Sequence, residues 1–544
     1  MEFKDQLMKT MLDIVAVPGI SGTESENLAA DKVYEILESI PYFKNNPNNL
    51  KKISIKDDPL GRTFVSALFC SKTKTDKTLI FMGHHDVVGV ESYGHLKDIA
   101  FNPIELNKRI KELDLPNDAI DDLESGEWLF GRGVSDMKFG LALAIELIRE
   151  ISEKDDFVGN ILFISVPGEE TNSEGMLGAI EHLVELQNSG YKYISLMLLE
   201  PSSLGGTEED KNIYLGAGGK VNVLLLFAGM PSHVAEPFNG LNANLLASEF
   251  NRLFELNLDM CEEYGGEFTY PPTCLTQVDL RKLYDVTTSL YTAAYYNIQT
   301  LNIKVEDLIG KIKKIALQAF ENTLKVYHEK CDAFSKKHRM KIRPINVKPL
   351  VLTYNEVYNV VKERFGDEFD RHLNQKIKEW KAVGCDKQTI AIYIAKETFD
   401  WYPNKVPAIV IGFAPPFYPC RYPELEREDY KILLSATDEM IDYAKKKFNV
   451  NISKENFFAV SDFSYIELGD KNGLDEISTN LVGFDKTYIF PAEELKKLSI
   501  PGIVFGAWGK DIHKNTERIN VPYSFEIVPE LCRHFIYNQF EKAK

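Results

Sequence analysis

The sequence lacks the features of a secreted, disulfide-linked or membrane-spanning protein. Its longest apolar stretches are short pieces such as residues 223–228, far below the roughly 20 residues needed to cross a bilayer. The seven cysteines are scattered without a CxxC pair, which argues against a disulfide framework or a zinc knuckle. Residues 1–20 lack the basic start and uninterrupted apolar core of a secretory signal. We therefore expect a cytoplasmic protein, in which any metal site is built from His, Asp and Glu.

Positive charge is also scarce. Lys and Arg number 63 against 81 Asp and Glu, which gives a net charge of −18. This balance argues against nucleic acid or an anionic membrane as the main partner. It does not exclude a cationic substrate, and it suits a protein that gathers carboxylates around metal ions. The 544 residues, 44% of them hydrophobic, predict a soluble globular chain of two or three domains.

Strand-like and helix-like segments alternate along the first part of the chain and return near its end. Short apolar runs at 79–82, 161–166 and 194–199 are typical of buried parallel strands. Residues 137–150 have the apolar spacing of a helix, and most of 303–396 is helical and highly charged. The pattern predicts an α/β domain with a mostly parallel central sheet, made from both ends of the chain, with a second domain inserted between them.

Ionisable residues follow the predicted strands where each strand ends, and one more carboxylate precedes a helix. In a doubly wound sheet these positions converge on one crevice. Taken singly, each segment has an ordinary reading: GEE is usually a solvated loop, and Ser135 or Asp136 could simply cap a helix. The inference that they form one site rests on their order along the chain and on the predicted strand or helix beside each of them, taken together. The segments are His84-His85-Asp86, Glu169-Glu170, Glu200-Pro201, Asp136 within GRGVSD, and His513.

Imidazoles and carboxylates converging in a crevice suit Zn²⁺ or a similar divalent ion. His84 can ligate through one ring nitrogen while Asp86 accepts a hydrogen bond from the other. Because adjacent carboxylates point in different directions, one of Glu169 and Glu170 can ligate while its neighbour accepts a proton from water. One carboxylate can bridge two ions, and such a pair can activate a water molecule.

The motifs resemble the M20 family of metallopeptidases and deacylases, which includes carboxypeptidases, dipeptidases, aminoacylases and desuccinylases. The resemblance implies a discontinuous catalytic domain, residues 1–214 and 425–544, and an inserted α+β lid domain, residues 215–424. The segments that carry it, in the family's order, are PGISGTESE, GHHDVV, GRGVSDMKFG, PGEET, LEPSS, GMPSHVAEPFNGLNAN and GAWGKDIHKNTERI.

The resemblance implies two divalent ions, zinc in the first place and cobalt or manganese as alternatives. Asp136 matches the carboxylate that bridges them. His84 and Glu200 match the other ligands of one ion, and Glu170 and His513 those of the second. We therefore expect five metal ligands, although the segments that contain them are spread from residue 84 to residue 513.

The remaining roles follow from the same resemblance. Glu169 matches the general base, and Asp86 matches the carboxylate that orients the ligating histidine. His233 resembles a lid histidine that stabilises the oxyanion, and Asn242 resembles a lid asparagine near the same site. Without the family match, His233 would be read as an exposed loop histidine.

Two features depart from ordinary family members. Residues 289–405 enlarge the lid, which makes the chain most like the RocB-type branch associated with arginine utilisation. The counterpart of a Gly-(Thr/Ser)-Asp-Ala-Arg segment, residues 460–464, has no arginine, so the group that binds a substrate carboxylate is unassigned. Arg421 and Arg281 are substitutes that also read as surface charges.

The expected function is hydrolysis of an amide bond in a small N-acylated amino acid or short peptide. Its substrate is then a small molecule, and an arginine derivative would suit the acidic chain. Two rivals remain open: a metal-binding protein without turnover, and a peptidase for longer chains. We expect neither nucleic acid nor membrane as a partner. The chain is either a homodimer, as family lids often pair, or a monomer whose extended lid replaces the partner.

Overall fold

The computed structural model describes residues 2–202, 211–404, 406–456, 460–468 and 474–543. The chain divides into two compact units. Unit 1 comprises Met1–Ala217, Arg421–Leu468 and Pro491–Lys544, and unit 2 comprises Gly218–Cys420 and Gly469–Phe490. Within the described part of the chain, we find no helix with the length and hydrophobicity that a membrane span requires.

Helices account for most of the regular structure. The α-helices of the described residues, in chain order, are α1 Phe3–Val15, α2 Ser25–Glu38, α3 Pro41–Asn45, α4 Pro103–Arg109, α5 Asn117–Ser125, α6 Lys138–Ser152, α7 Glu174–Asn188, α8 Ala243–Phe254, α9 Val305–His338, α10 Tyr354–Ala382, α11 Lys387–Trp401, α12 Glu428–Phe448, α13 Leu474–Asn480, α14 Ala492–Leu498 and α15 Val528–Lys542.

Strands are shorter and occur in both units. Those of the described residues are β1 Leu50–Ser54, β2 Thr63–Cys70, β3 Lys77–His84, β4 Trp128–Phe130, β5 Asn160–Val166, β6 Lys192–Leu198, β7 Asn212–Tyr214, β8 Gly219–Ala228, β9 Glu263–Tyr264, β10 Glu267–Phe268, β11 Thr273–Asp279, β12 Tyr291–Thr300, β13 Val351–Thr353, β14 Ala408–Tyr418, β15 Ser453–Glu455, β16 Gly502–Val504, β17 Gly509–Lys510 and β18 Arg518–Asn520.

Unit 1 is built on an eight-stranded sheet of order β1-β2-β5-β3-β6-β16-β7-β15. The four central strands β5, β3, β6 and β16 are mutually parallel, and antiparallel pairs occur only nearer the edges. Parallel neighbours require crossover connections, which helices α6 and α7 supply between β3, β5 and β6. The mixed α/β class with a mostly parallel central sheet is therefore confirmed.

This central sheet is buried on both faces. Phe81 of β3 belongs to a core cluster shared with helices α1, α6, α12 and α15, whereas its neighbour Met82 is buried on the opposite face. On that second face Ser66 of β2 contacts His182 of α7 at 2.9 Å. Because helices cover both sides, open positions for a ligand remain at the strand ends.

Unit 2 is a three-layered α+β structure. Its five-stranded sheet has the order β11-β12-β8-β14-β13, and β13 and β14 form its only parallel pair among the described strands. Leu226 of β8 joins Val361 of α10 and Ile394 of α11 in one core cluster. Phe227 faces the other side and packs against Phe250 of α8, with ring centroids 5.8 Å apart. The extension of residues 289–405 thus provides the helices that cover one face of this sheet.

The division into units differs from the sequence-based boundaries at one segment. Residues 469–490 group with unit 2, whereas the boundaries 1–214, 215–424 and 425–544 put them in the last stretch. The physical reason lies in backbone and side-chain hydrogen bonds to unit 2. Val482 N–H donates to the Phe413 carbonyl at 2.8 Å, and Asn355 N–H donates to Asn480 Oδ1 at 3.2 Å.

Candidate metal centre

The carboxyl ends of the parallel strands meet at one edge of the unit 1 sheet. His84, the last residue of β3, is in register with Val166, the last residue of β5. Leu198, at the end of β6, pairs with Val504 at the end of β16. Each strand then leaves the sheet into a loop that carries ionisable side chains. The sheet register therefore brings together residues that are far apart in the sequence.

Asp136 reaches the same edge because helix α6 begins close against β3. An added Cβ at Gly83 would lie 2.3 Å from Met137 Cε, so the Met137 side chain packs directly against the β3 backbone. The backbone N–H of His84 lies 3.3 Å from Met137 Sδ. Helix α6 starts at Lys138 with no side-chain cap. The alternative reading of Asp136 as a helix cap therefore does not describe its side chain, which points to the histidines.

Asp136 lies between two imidazoles, one at each carboxylate oxygen. Its Oδ1 is 3.1 Å from His84 Nε2, and its Oδ2 is 3.1 Å from His513 Nε2. Glu200 Oε1 lies 3.3 Å from the same nitrogen of His84, and Glu170 Oε1 lies 3.0 Å from that of His513. The arrangement is two His-carboxylate groups that share Asp136.

The donor set fits divalent cations. Ligand atoms of His84, Asp136 and Glu170 all lie within 4.8 Å of one another. Glu200 Oε2 is buried without a hydrogen-bond partner among the described residues, and a buried carboxylate oxygen normally has one. Imidazole and carboxylate ligands with a shared carboxylate suit zinc and similar ions. Residues present at this sheet edge can therefore hold such a group.

Asp86 organises the surroundings of His84. The Nδ1 atom of His84 lies 2.9 Å from the backbone carbonyl of Asp86 and 3.5 Å from its carboxylate, so Nε2 is the nitrogen left facing the carboxylates. The Asp86 carboxylate also accepts hydrogen bonds from Ser21 Oγ at 2.7 Å and from the backbone N–H groups of Glu169 and Glu170 at 3.2 and 3.3 Å. One carboxylate thus holds both the histidine and the loop after β5.

Crowded, buried carboxylates shape the electrostatics of the site. Burial raises the pKa of Glu200 to about 7 and raises that of Glu169 well above its usual range, although His84 partly opposes the latter shift. For Asp136, hydrogen bonds from His513 and His84 outweigh the effect of burial and lower its pKa. Burial would lower the pKa of His513, but hydrogen bonds to Asp136 and Glu170 outweigh it and raise that pKa to about 10. Excess negative charge at this edge favours bound cations.

The two histidines of the HHD segment have different environments. His85 Nδ1 lies 3.0 Å from Ser165 Oγ within the unit 1 core. Burial lowers the pKa of His85 to about 3, so its ring is neutral. His84, by contrast, faces three carboxylates. The histidine predicted as a ligand, His84, is thus the one whose ring faces the carboxylates.

Asp462 is a site residue to which the sequence reasoning gave no role. It lies in the segment 460–464 and is 1% exposed. Both carboxylate oxygens are buried without a hydrogen bond of normal length from the described residues. Burial raises the pKa of Asp462 to about 7, with the Ser173 hydroxyl and His84 opposing the shift. Residues 460–464 are the counterpart of the Gly-(Thr/Ser)-Asp-Ala-Arg segment, but no sequence pattern indicated that the Asp462 carboxylate is buried.

The two predicted lid residues lie in unit 2. His233 is exposed, and its Nδ1 accepts a hydrogen bond from the Ala235 N–H at 3.1 Å. Asn242 is the N-cap of α8, where its side chain accepts from the Asn244 N–H at 3.0 Å. Their predicted roles at the reacting centre stay predictions.

Both arginines considered for binding the substrate's carboxylate already have partners within the protein. Arg421 is 3% exposed, so the surface-charge reading is wrong for it. Its guanidinium donates to the Leu215 carbonyl at 3.1 Å and to the Tyr430 hydroxyl at 2.5 Å. Arg281 pairs with Asp279 at 2.7 Å. The substrate's carboxylate partner is therefore not assigned to either.

Comparison with known proteins places these observations in a family. The sequence profile of Peptidase family M20/M25/M40 matches residues 80–536. YqjN, an uncharacterized protein of Bacillus subtilis (strain 168), is 34% identical over 97% of this chain and 95% of its own length. Protein RocB of the same organism is 28% identical over 96% of this chain and 92% of its own length.

A solved structure supports the fold. The M20 family metallo-carboxypeptidase Sso-CP2 from Sulfolobus solfataricus superimposes with a TM-score of 0.52 at 13% identity. The match covers 98% of this chain and 100% of that chain. At this level of identity the likeness concerns the arrangement of helices and strands.

Proposed function

Because the chain belongs to peptidase family M20/M25/M40, and is therefore a hydrolase that acts on amide bonds, we propose that it cleaves a small N-acylated amino acid or a short peptide at a dinuclear metal centre. The observation that carries the proposal is Asp136, whose two oxygens each lie 3.1 Å from a different histidine. A carboxylate in that position is suited to bridging two ions.

In this proposal one ion would bind on the His84 side of Asp136 and the other on the His513 side. Zinc is the metal expected in the first place, with cobalt or manganese as alternatives. His84 and Glu200 belong to one side, His513 and Glu170 to the other, and Asp136 to both. Two divalent ions bound here would lower the pKa of a water molecule and polarise the scissile carbonyl. Asp86 keeps the His84 ring in the tautomer and orientation that present Nε2.

Glu169 is the proposed general base. It adjoins Glu170 in the loop after β5, and its backbone N–H is fixed by Asp86 at 3.2 Å. Burial raises the pKa of Glu169 well above its usual range, which suits a group that takes a proton near neutral pH. Glu169 removes the proton from the attacking water and returns it to the leaving nitrogen.

The unit 2 residues have proposed roles at the carbonyl oxygen. His233 donates a hydrogen bond to the oxygen as negative charge develops on it, and Asn242 binds substrate nearby. An exposed histidine on a loop can act this way once the substrate is enclosed. A partner subunit's lid or this chain's own lid could enclose it, so a homodimer and a monomer are both compatible with the proposal.

The substrate proposed for first trial is an N-acylated arginine or an arginine-containing dipeptide. Two points support that choice: the likeness to RocB, since the sequence resemblance associates a RocB-type branch with arginine utilisation, and the net charge of −18. An acidic protein attracts a cationic substrate over a longer range than it attracts a neutral one.

The test is a substrate panel with the purified protein and with Glu169→Gln. The panel contains N-acyl amino acids, dipeptides and longer peptides, and metal content is measured in parallel. The expected result is turnover of small substrates by the wild type. Glu169→Gln should lose about 10²–10⁴-fold in kcat while keeping its metal.

Each contrary outcome is informative. Full activity in Glu169→Gln would refute the base assignment. Preferential cleavage of long peptides would favour the peptidase alternative. Metal binding without turnover of any substrate class would favour a regulatory or binding role. Activity in metal-free protein would overturn the proposal as a whole.

A further inference from the structure

His513 is held very differently from His84. The side chain of His84 is 1% exposed, whereas that of His513 is 50% exposed. His84 ends a central strand, but His513 lies in a loop between β17 and β18 with a φ of +68°, and Asp511 in the same loop has a φ of +53°. Non-glycine residues persist in this region only where the surrounding structure holds them. The loop therefore needs an external support.

A buried ion pair provides that support. Arg132 and Glu517 are each about 1% exposed and form a salt bridge. Strands β4 and β18 are neighbours, so the segment after β4 lies beside the segment before β18. This places Arg132 and Glu517, which are 385 positions apart, in direct contact beneath the metal centre.

The same pair binds the backbone on both sides of the site. Glu517 Oε1 accepts hydrogen bonds from the N–H groups of Ser135 and Asp136 at 3.2 and 3.3 Å. Arg132 Nη2 donates to the backbone carbonyl of His513 at 3.0 Å. The contacts form a continuous path from the Asp136 backbone, through Glu517 and Arg132, to the His513 backbone.

A purely structural role is the simpler explanation to exclude. A buried ion pair is weak evidence of stabilisation, because desolvation opposes the attraction of the charges. The other hydrogen bonds of this pair go to backbone groups around the site: those of the predicted ligands Asp136 and His513, and those of Ser135 and Gly89. Its contacts thus suit orientation of the ligands better than they suit general stabilisation.

From this path we infer that Arg132 and Glu517 are positioning residues that set the spacing between Asp136 and His513, and thereby the affinity of the His513 side of the centre for its ion. The inference rests on the proposed dinuclear centre. The His84 side depends less on the pair, because Asp86 and strand β3 hold His84 and only the shared Asp136 contacts the pair, through its backbone.

The test is a titration of metal-free protein with Co²⁺, followed by heat and by visible absorption. The wild type should show two binding events with distinguishable spectra. Arg132→Lys, which keeps the charge but loses the planar fork, should weaken one event by about 10–100-fold and the other by much less. The double variant R132M/E517Q removes both charges together, avoids an unpaired buried ion, and should give the same selective loss.

His513→Ala identifies which event is affected. It should abolish the event that Arg132→Lys weakens more strongly, and Arg132→Lys added to His513→Ala should then change the remaining event no more than Arg132→Lys does alone. Arg421→Lys is the matched control, because Arg421 is 3% exposed and contacts Glu467 at 3.4 Å. The control should lower the melting temperature of the metal-free protein and leave both Co²⁺ events unchanged.

The possible outcomes distinguish failure of the dinuclear proposal from failure of the inference about Arg132 and Glu517. A wild type that binds fewer than two Co²⁺ ions would refute the dinuclear proposal and the inference with it. Two events in the wild type that Arg132→Lys and R132M/E517Q weaken equally, or leave unchanged, would refute the inference alone. An Arg421→Lys variant with the same selective loss would show that any buried arginine in unit 1 has this effect, which would also refute it.

Discussion

The two units bury different kinds of side chain. Among the residues that the structure describes, every charged or histidine side chain that is buried belongs to unit 1. The buried polar residues described in unit 2 are all neutral. They are Asn222, Thr269, Ser289, Thr292, Thr323, Thr353, Thr398, Asn480 and Thr487.

This difference separates function from stability. Burying a charge is costly unless the charge is paired or bound to a metal, so unit 1 keeps such groups in ion pairs, as between Arg62 and Glu26, or where a ligand would compensate them. Unit 2 has no such cluster among its described residues and relies on apolar packing around its sheet. Substitutions in the unit 1 centre should therefore act mainly on activity, and substitutions in the unit 2 core mainly on folding.

Metal removal gives the largest expected effect and tests the unit 1 side. Dialysis against a chelator should abolish activity, and Zn²⁺ should restore it. Free metal at 1,000 times its Kd stabilises the folded protein by about 4 kcal/mol. Hydrogen exchange should therefore slow on metal addition at residues 84–86, 136 and 169–170, while β8, β12 and β14 should not respond. An equal slowing of exchange in those unit 2 strands would contradict the functional contrast between the two units.

His233→Ala tests a proposed functional residue that unit 2 does not bury. Because the imidazole is exposed and accepts one local backbone hydrogen bond, its loss should change the unfolding free energy by no more than about 0.5 kcal/mol. The kcat should fall by about 10²–10³-fold if His233 stabilises the oxyanion. Steady-state kinetics and urea unfolding provide the two measurements. Unchanged kcat would contradict the proposed role.

Leu226→Ala tests the apolar core of unit 2. Leu226 of β8 is 1% exposed and belongs to the core cluster that the sheet forms with helices α10 and α11. Its truncation should cost about 2–5 kcal/mol, seen as faster hydrogen exchange in β8 and β14. Leu258→Ala is the control, since Leu258 is 74% exposed and should change stability by about 0.5 kcal/mol or less. Similar effects of the two variants would contradict the three-layered packing.

The smallest expected effects compare one ion pair in each unit. Burial would raise the pKa of Asp58, but hydrogen bonds from Arg62 outweigh it and lower that pKa. A lowered folded-state pKa stabilises the fold above the unfolded value of about 4 and loses this contribution as the pH falls. Asp58→Asn should therefore cost about 1.5–3 kcal/mol at pH 7, and its difference from the wild type should close below pH ~4.

The matched variant in unit 2 is Asp370→Asn. Asp370 pairs with Lys362 and Lys486, and its side chain is 28% exposed. Solvent screens such a pair, so the expected cost is only about 0–1 kcal/mol. Urea unfolding from pH 7 downward measures both variants. A larger pH-dependent loss for Asp370→Asn than for Asp58→Asn would reverse the comparison between the units.

Much of this protein could be predicted from the sequence because local patterns encode it. Apolar periodicity predicted the α/β class, the inserted unit and the long charged helices of residues 303–396. The ionisable residues after each strand, His84 and Glu200 among them, predicted a shared crevice, because the ends of parallel strands meet at one edge. These inferences needed only the order of residues along the chain.

Other features depended on the tertiary structure, because they arise between residues that no local pattern connects. The sequence predicted His84 as the ligand from its spacing to Asp86 and from the family resemblance, but it gave no sign that the neighbouring His85 contacts Ser165 in the core. It likewise gave no sign that Arg421 is buried, or that residues 469–490 group with unit 2.

The pairing of Arg132 with Glu517 is the clearest case. Their contact spans 385 positions and exists because β4 and β18 lie side by side. The sequence by itself determined which chemical groups this protein has at the ends of its strands. Only the packing of those strands decided which groups face one another, because distance and burial are set by contacts between segments far apart in the chain.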